Sequence, residues 1–461
     1  MTQEPQATQR PRWLEMSGLP HLLRIPRLAI RTDNLGLGIA ALFATLAFGT
    51  ALDWVWTLRG GIREDAITVY QARGDGDYTD PPGNSGIFQV WRRHEQRAVT
   101  AVLTSCIPGK AFFDGTPVGR YLDRHSRPQF VSSLLEIGHG FCWLLSVHTV
   151  YAIVFFAGLL VIWGLAGGAI CRIAAVQLAR DELLTYRQGV EFAWRKLGPG
   201  FVAAPCIPLA LALAVALLMA LGGLLLRVFL IGDVVAGAAF FLALLGGFVL
   251  AGLLIGLAFS GHLYWPTIAA EGSDGFDAFS RGFAYVFTRP LKTVWYGIIA
   301  LMVTAVCWLI ANLGVRLALW LTRSVVGFGT APFGWFKRQV GPEPSDTVRK
   351  LDLLWPSTPD GAWYHAPNWG HLGVFEYVSA VFIGFWVLFV IIALWSFLAS
   401  LYFSSSTVAY FLLRRDVDGT DLEDLPLDDS EDADGGTPEP VPSGPTAPQG
   451  PQRPADAVEA P

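Results

Sequence analysis

Phe201–Phe259 reads FVAAPCIPLALALAVALLMALGGLLLRVFLIGDVVAGAAFFLALLGGFVLAGLLIGLAF, and its only charged residues are Arg227 and Asp233. A helix crosses a bilayer with about 20 mostly apolar residues. The two charges lie together near the centre, so the stretch reads as two crossings, Phe201–Leu226 and Val234–Phe259, joined by a tight turn. A water-facing fold has no use for such a hairpin. The class is therefore all-α integral membrane.

Four further stretches meet the same criterion: Leu35–Trp56, Val147–Ala169, Val294–Leu313 and Val378–Phe403. Together they predict a bundle of about six transmembrane helices over residues 35–415. The whole chain agrees, with 52% apolar and 15% charged residues, against about 25% charged in a soluble domain. Trp54, Trp56, Tyr264, Trp265, Trp295 and Tyr402 fall at or near span ends, where amphipathic rings favour the headgroup layer.

The positive-inside rule sets the expected orientation. Arg10, Arg12, Arg24, Arg27 and Arg31 precede the first span, and Arg172, Arg180, Arg187, Arg195 and Lys196 lie between the second and third. Arg281, Arg289 and Lys292 precede the fifth, and Arg414 and Arg415 follow the sixth. Both termini are expected in the cytoplasm, with residues 1–34 a cytoplasmic segment and the first span an uncleaved anchor. The expected site is the cell membrane, as a multi-pass protein of a bacterial inner membrane. Two long extracytoplasmic loops follow, 59–146 and 327–373, the second carrying Trp335, Trp355, Trp363 and Trp369. An amphipathic interfacial piece is expected at Val315–Phe328, where Arg316 and Arg323 alternate with Leu317, Leu319 and Trp320.

The net charge of −5 conceals an asymmetry. Residues 416–461 hold 13 acidic residues and one basic residue, Arg453, so this segment carries −12 and the remainder +7. Such an acidic, Pro-rich segment lacks the apolar content to order itself and reads as a disordered cytoplasmic tail, available to a protein partner. The cytoplasmic loops are a second place for such a partner. Membrane lipids are the other expected contact, and no nucleic acid is.

Two cytoplasmic loops look like copies of one unit. Phe192-Ala193-Trp194 and Phe283-Ala284-Tyr285 lie 91 residues apart, as do Pro199 and Pro290, and Ala179 and Ala270. Each copy reads as a descending span, an acidic or Gly-containing turn, a short amphipathic helix, a proline and a returning span. Thr185 with Gln188 has capping-box spacing, Asp274 or Ser273 can cap the second short helix, and Asp277 pairs with Arg281 at i, i+4. A fainter echo joins the chain ends, through Leu401-Tyr402-Phe403 beside Leu263-Tyr264-Trp265, and Pro26-Arg27-Leu28 beside Pro290-Leu291-Lys292. Three like hairpins would then make the bundle.

The second copy, through Ala270-Glu271-Gly272, Ala278-Phe279-Ser280-Arg281 and Pro290, resembles a broad group of bacterial polytopic membrane proteins. That group is similar to the membrane domain attached to some glycerophosphodiester phosphodiesterases. The resemblance covers some 25 positions twice and implies a helical membrane domain without a common activity. The soluble phosphodiesterase domain of that association has no counterpart here.

Catalytic motifs of high specificity are absent: there is no GxxxxGK loop, no HExxH, no GxSxG and no GxGxxG opening a helix. No cofactor is implied. The spans keep their ionisable groups at the edges, as with Asp53, Asp233, His262 and Glu376, which argues against ion-coupled transport. Asn312 is the main polar side chain within a span and Arg316 follows just past it, so these two are the polar candidates for a permease. Gly164 with Gly168 and Gly252 with Gly256 have GxxxG spacing, which serves helix packing, and Pro205 and Pro208 are placed to kink the third span. The best catalytic or metal-binding constellation is Glu136 with His139, near Cys142 and His148. His365 and His371, among tryptophans, suit headgroup contact. Cys106 and Cys142 share a loop and are either a disulfide or two free thiols.

Three functions follow in order of preference. The first is a non-catalytic scaffold or accessory factor in a membrane process. The second is a permease or lipid-handling protein without ion coupling. The third is a membrane-embedded enzyme using Glu136 and His139.

Overall fold

Backbone amides in an apolar medium must bond within their own segment, and the apolar stretches of this chain do so as helices. The structure, a computed structural model, describes residues 19–57, 60–73, 79–106, 130–224, 231–330, 337–339, 347–356, 367 and 369–421. In chain order come α1 (Leu19–Leu22), α2 (Ile25–Ala29), α3 (Thr32–Trp56), β1 (Gly61–Ile62), α4 (Ala66–Arg73), β2 (Pro82–Gly83), α5 (Ile87–Ser105) and α6 (Phe130–Val147). They are followed by α7 (Thr149–Arg180), α8 (Tyr186–Arg195), a π-helical turn (Leu197–Val202), α9 (Ala203–Gly223), α10 (Ile231–Ser260), α11 (Tyr264–Glu271) and α12 (Gly275–Thr288). The last elements are α13 (Pro290–Thr330), β3 (Lys337–Gln339), β4 (Thr347–Arg349), α14 (Lys350–Leu354) and α15 (Val374–Asp418).

Seven stretches among the described residues are long and apolar enough to cross a membrane: Thr32–Trp56, Phe130–Val147, Thr149–Arg180, Leu197–Gly223, Gly237–Glu271, Pro290–Gly329 and Val374–Asp418. This is an all-α membrane architecture. Phe130–Val147 is the addition to the six stretches read from sequence. At 18 residues it measures about 27 Å at 1.5 Å per residue, and Ser132, Ser133, Glu136 and His139 dilute its apolar character. Residues 59–146, expected as one loop, thus hold α4, a small hairpin of antiparallel β1 and β2, α5 and α6. Val315–Phe328, expected as a separate interfacial piece, continues α13 without a break. The tail beyond residue 421, the segment before residue 19, and Trp335, Trp363 and His365 lie outside the described residues.

Three long helical runs, α7, α10 continued by α11, and α15, reach one end of the bundle, where α7, α11 and α15 touch each other. Each stops at a residue with positive φ, respectively Asp181 (57°), Gly272 (64°) and Gly419 (69°). Such a left-handed residue ends a helix by turning the chain while its N–H bonds back to the last turn. At Asp181 a side chain accepts this backbone, an uncommon choice that aspartate tolerates better than most residues. A short helix then packs against each descending helix: α8 on α7, α12 on α10 and α11, and α1–α2 on α15. The caps of two are local. The Thr185 N–H donates to Gln188 Oε1 at 3.0 Å, and the Asp277 N–H donates to Asp274 Oδ1 at 2.9 Å.

Glycines in the descending helices act as sockets for rings. The Phe201 ring, fully buried, rests on Gly168 and beside Gly164. Phe283 fills the space at Gly256, whereas nothing lies near a Cβ placed on Gly252. The expected GxxxG packing is therefore ring on glycine, and Gly252 takes no part. Pro208 lies inside α9 and Pro205 in its first turns, directly after the π-helical turn.

Candidate functional site

The most elaborated polar region lies where the last turn of α3 meets the starts of α5 and α7. A helix start leaves its first N–H groups without partners, and α5, preceded by Gly86, has no side chain of its own to cap it. Asp53 of α3 supplies the acceptor. Its Oδ1 takes the N–H of Phe88 at 2.8 Å and the hydroxyl of Tyr151 at 2.9 Å, and its Oδ2 takes the N–H of Gln89 at 3.3 Å. Asp53 is 5% exposed, and a Cβ on Gly86 would collide with its carboxylate. Glycine is required there by close approach. Below this hub, Phe88, Trp91, Phe141, Phe155 and Phe156 stack into an aromatic cluster with centroid spacings of 5.4–6.2 Å.

Beside the hub, a cavity of about 430 Å³ opens along α3 and the β1–β2 hairpin. Thr50, Asp53 and Trp54 line it from α3, joined by Thr57, the residue that ends that helix, and by Gln89 from α5. A second carboxylate, Asp80, holds the break between α6 and α7. It accepts from Trp143 Nε1 at 3.1 Å and pairs with His148 Nε2 at 2.6 Å.

The helix pair α5 and α6 carries the catalytic candidates. His94 Nε2 lies 2.9 Å from the backbone oxygen of Glu136 and 3.8 Å from its Oε2, and Gln71 Nε2 donates to Oε2 at 3.4 Å. His139, one helical turn on, is exposed, as is Cys142. The structure gives Glu136 to His94 and Gln71, and does not bring His139 into that group. Among the described residues no group of three or more His, Cys, Asp or Glu side chains is placed to hold a metal ion. Cys106 and Cys142 are both free thiols. On the same face of α5, Glu95 Oε1 is buried without a hydrogen-bond partner, against Gly140. Burial pushes its carboxyl up to about 8.

The opposite end of the bundle, where the three descending helices stop, is held by charge pairs. Glu271, at the end of α11, pairs with Arg281 and with Arg414 at 3.5 Å, and accepts the hydroxyl of Tyr410. Lys196 donates to the carbonyl of Gly272. Lys292 donates to Asp416 at 2.8 Å, and Tyr296 joins it at 2.7 Å. Arg31 donates to the carbonyl of Leu184 and, at 3.3 Å, to Gln177. Arg172, buried, donates to the carbonyl of Ala269 at 2.8 Å and lies over the Phe192 ring at 4.5 Å. These guanidinium and ammonium groups, which marked a cytoplasmic side in the sequence, are tied down by the fold.

Asn312 and Arg316 lie one turn apart on α13, and Arg316 Nε donates to Asn312 Oδ1 at 3.0 Å. Asn312 is fully buried, and its Nδ2, like the indole nitrogens of Trp308 and Trp395, has no hydrogen-bond partner.

The Asp53 hub escaped sequence reading because its parts are far apart in the chain. Asp53 stood out only as a charge at a span end, and Tyr151 and Gly86 carried no signal. Comparison with protein-family models, characterised proteins and solved structures found no match to this chain.

Proposed function

We propose that the chain is a non-catalytic scaffold or accessory factor of a bacterial inner membrane, built from three like helix pairs arranged in a ring. In this reading the units are α7 with α9, α10–α11 with α13, and α15 with α3, so the third is split between the ends of the chain. The observation that carries it is the cyclic order of the basic clamps. Lys196 of the first unit grips the turn of the second at Gly272. Lys292 of the second grips the end of the third at Asp416, and Arg31 of the third grips the turn of the first at Leu184. Short helices join the same neighbours in the reverse sense, with α12 of the second unit packed on α9 of the first, α1–α2 of the third on α13 of the second, and α8 of the first on α3 of the third.

A ring closed in this way favours a fixed body over one that opens and shuts. Its charges are spent on each other, which suits support of a partner better than passage of an ion. The basic clustering at this end supports a cytoplasmic placement of both termini, and the partner would meet the acidic tail or the short-helix turns. The residues that carry the resemblance to membrane domains of glycerophosphodiester phosphodiesterases, Glu271 and Arg281, are paired with each other, which supports a shared architecture over a shared chemistry.

Gentle solubilisation followed by native mass spectrometry tests this reading. A defined protein partner in stoichiometric amount is expected. A chain that copurifies with lipid alone and moves a solute across reconstituted vesicles would replace it with the second reading, a lipid-handling permease. That alternative is favoured by one feature, the unpartnered buried donors of Trp308 and Asn312 within α13. Asn312→Leu would then change flux.

A further inference from the structure

We propose that the cavity at the end of α3 binds a primary ammonium group, as carried by an ethanolamine lipid headgroup or by a small free amine. This inference is independent of the scaffold reading. Thr50, Asp53 and Thr57 stand at i, i+3 and i+7 and therefore share one face of α3, the face that lines the cavity. Their hydrogen-bonding capacity is one-sided. The Thr50 hydroxyl donates to the carbonyl of Leu46 at 2.7 Å, and the Thr57 hydroxyl donates to the carbonyl of Asp53 at 2.8 Å. A hydroxyl has one proton and two lone pairs, so both threonines have lone pairs left as acceptors.

Asp53 adds to this set. Its Oδ1 is occupied by Phe88 and Tyr151, Oδ2 receives a longer bond of 3.3 Å from Gln89, and the Ile87 amide also bears on the carboxylate. Asp53 is also the one formal charge among the residues lining the cavity. The positive start of α5 offsets about half an elementary charge, so the lining stays negative.

A ligand for this place must supply donors and a positive charge. A primary ammonium has three N–H donors and one charge in a compact group. Trp54, 73% exposed at the rim, presents an indole to the same cation. An anion would face the carboxylate, and a neutral polyol would leave the charge uncompensated. A volume of about 430 Å³ admits an ethanolamine together with several waters, each of which occupies about 30 Å³ in the liquid. The position fits a headgroup, since α3 is one of the apolar helices and this is its last turn.

The test uses the full chain in a non-ionic detergent, titrated calorimetrically with ethanolamine, choline and glycerol. Ethanolamine is expected to bind at least tenfold tighter than choline, whose nitrogen has no N–H, and tighter than glycerol. Asp53→Asn keeps an acceptor for Phe88 while removing the charge, and should weaken ethanolamine at least tenfold. Thr57→Val leaves the cap of α5 alone and should weaken ethanolamine binding as well; it carries the test if Asp53→Asn fails to fold. A second arm reconstitutes the chain in nanodiscs containing equal phosphatidylethanolamine and phosphatidylglycerol of the same acyl chains, and reads the bound lipid by native mass spectrometry. Retention of the ethanolamine lipid, lost in Thr57→Val, assigns the site to a headgroup; binding of the free amine without lipid preference assigns it to a soluble ligand. Equal binding of choline or glycerol, no ethanolamine binding in either arm, or binding unchanged in both variants overturns the proposal.

Discussion

The amide nitrogen of Phe88 lies 2.8 Å from Oδ1 of Asp53, a residue 35 positions earlier and on another helix. The start of α5 is thus completed by a side chain of α3, and Tyr151 of α7 shares the same oxygen. One carboxylate joins three helices. Capping bonds are local in most helices, and here the cap is tertiary, so the start of α5 forms only when α3 is in place.

Asp53→Ala is therefore expected to cost about 2 kcal/mol, because it removes a cap and leaves the buried Tyr151 hydroxyl without its acceptor. Thermal unfolding in detergent, followed by circular dichroism, reads the loss. Asp53→Asn should lose less than half as much. An unchanged midpoint for the alanine variant would mean that the hub is ornamental.

Burial holds the Glu95 carboxyl up to about 8, above its ordinary value of 4.5. The folded chain then binds more protons than the unfolded chain between those two values, so the contribution of this group to stability falls as pH rises from about 4.5 to 8 and levels off above that. Glu95→Gln imitates the protonated form and should flatten this part of the curve. Melting temperatures at pH 5, 7 and 9 decide it. Parallel curves for the two proteins would rule out a buried carboxyl at this position.

The glycines separate into two kinds. A Cβ at Gly168 would come 2.7 Å from the ring of Phe201, whereas none of the surrounding atoms comes within 4 Å of one at Gly252. Gly168→Ala should destabilise by about 1–3 kcal/mol, as overpacking does. Gly252→Ala should be neutral or slightly favourable. Both effects are readable as shifts in the unfolding midpoint, and equal shifts would contradict the ring-on-glycine packing.

Glu271, its side chain 9% exposed, has two guanidinium partners and a phenol. Removing its charge leaves Arg414 buried with less compensation, so Glu271→Gln should cost about 2 kcal/mol, below the ~3–5 kcal/mol of a fully buried pair because Arg281 stays partly in water. A double-mutant cycle with Arg414→Met measures the coupling between the two. Additive losses, within about 0.5 kcal/mol, would show that the pair is not coupled.

Apolar length was the most legible signal. Spans such as Phe201–Leu226 and Val378–Phe403 announce themselves because a bilayer demands an uninterrupted run. Phe130–Val147 is hidden by its brevity and by Glu136 and His139, which turn a marginal span into what looks like a loop. The charged face of α5, with Arg92, Arg93, His94 and Glu95 in succession, conceals a helix that packs along α3 and α13. The short helices α8 and α12 were readable from Thr185, Gln188 and Asp274, since a cap acts within one turn. Glu136 and His139 illustrate the opposite case. Their spacing places them side by side on α6, yet only the partner helix decides which of them turns inward, and α5 takes Glu136.

Ser400 donates its hydroxyl to the carbonyl of Ala29, a residue made 371 positions earlier, and Ser396 does the same for Leu35. Ala29 and Leu35 therefore have part of their seat on a helix synthesised long after them. Until α15 emerges, α2 lacks the helix it packs on most, and the carbonyls of Ala29 and Leu35 lack these two hydroxyls. A chain cut short before that point would leave α2 and α3 without this partner.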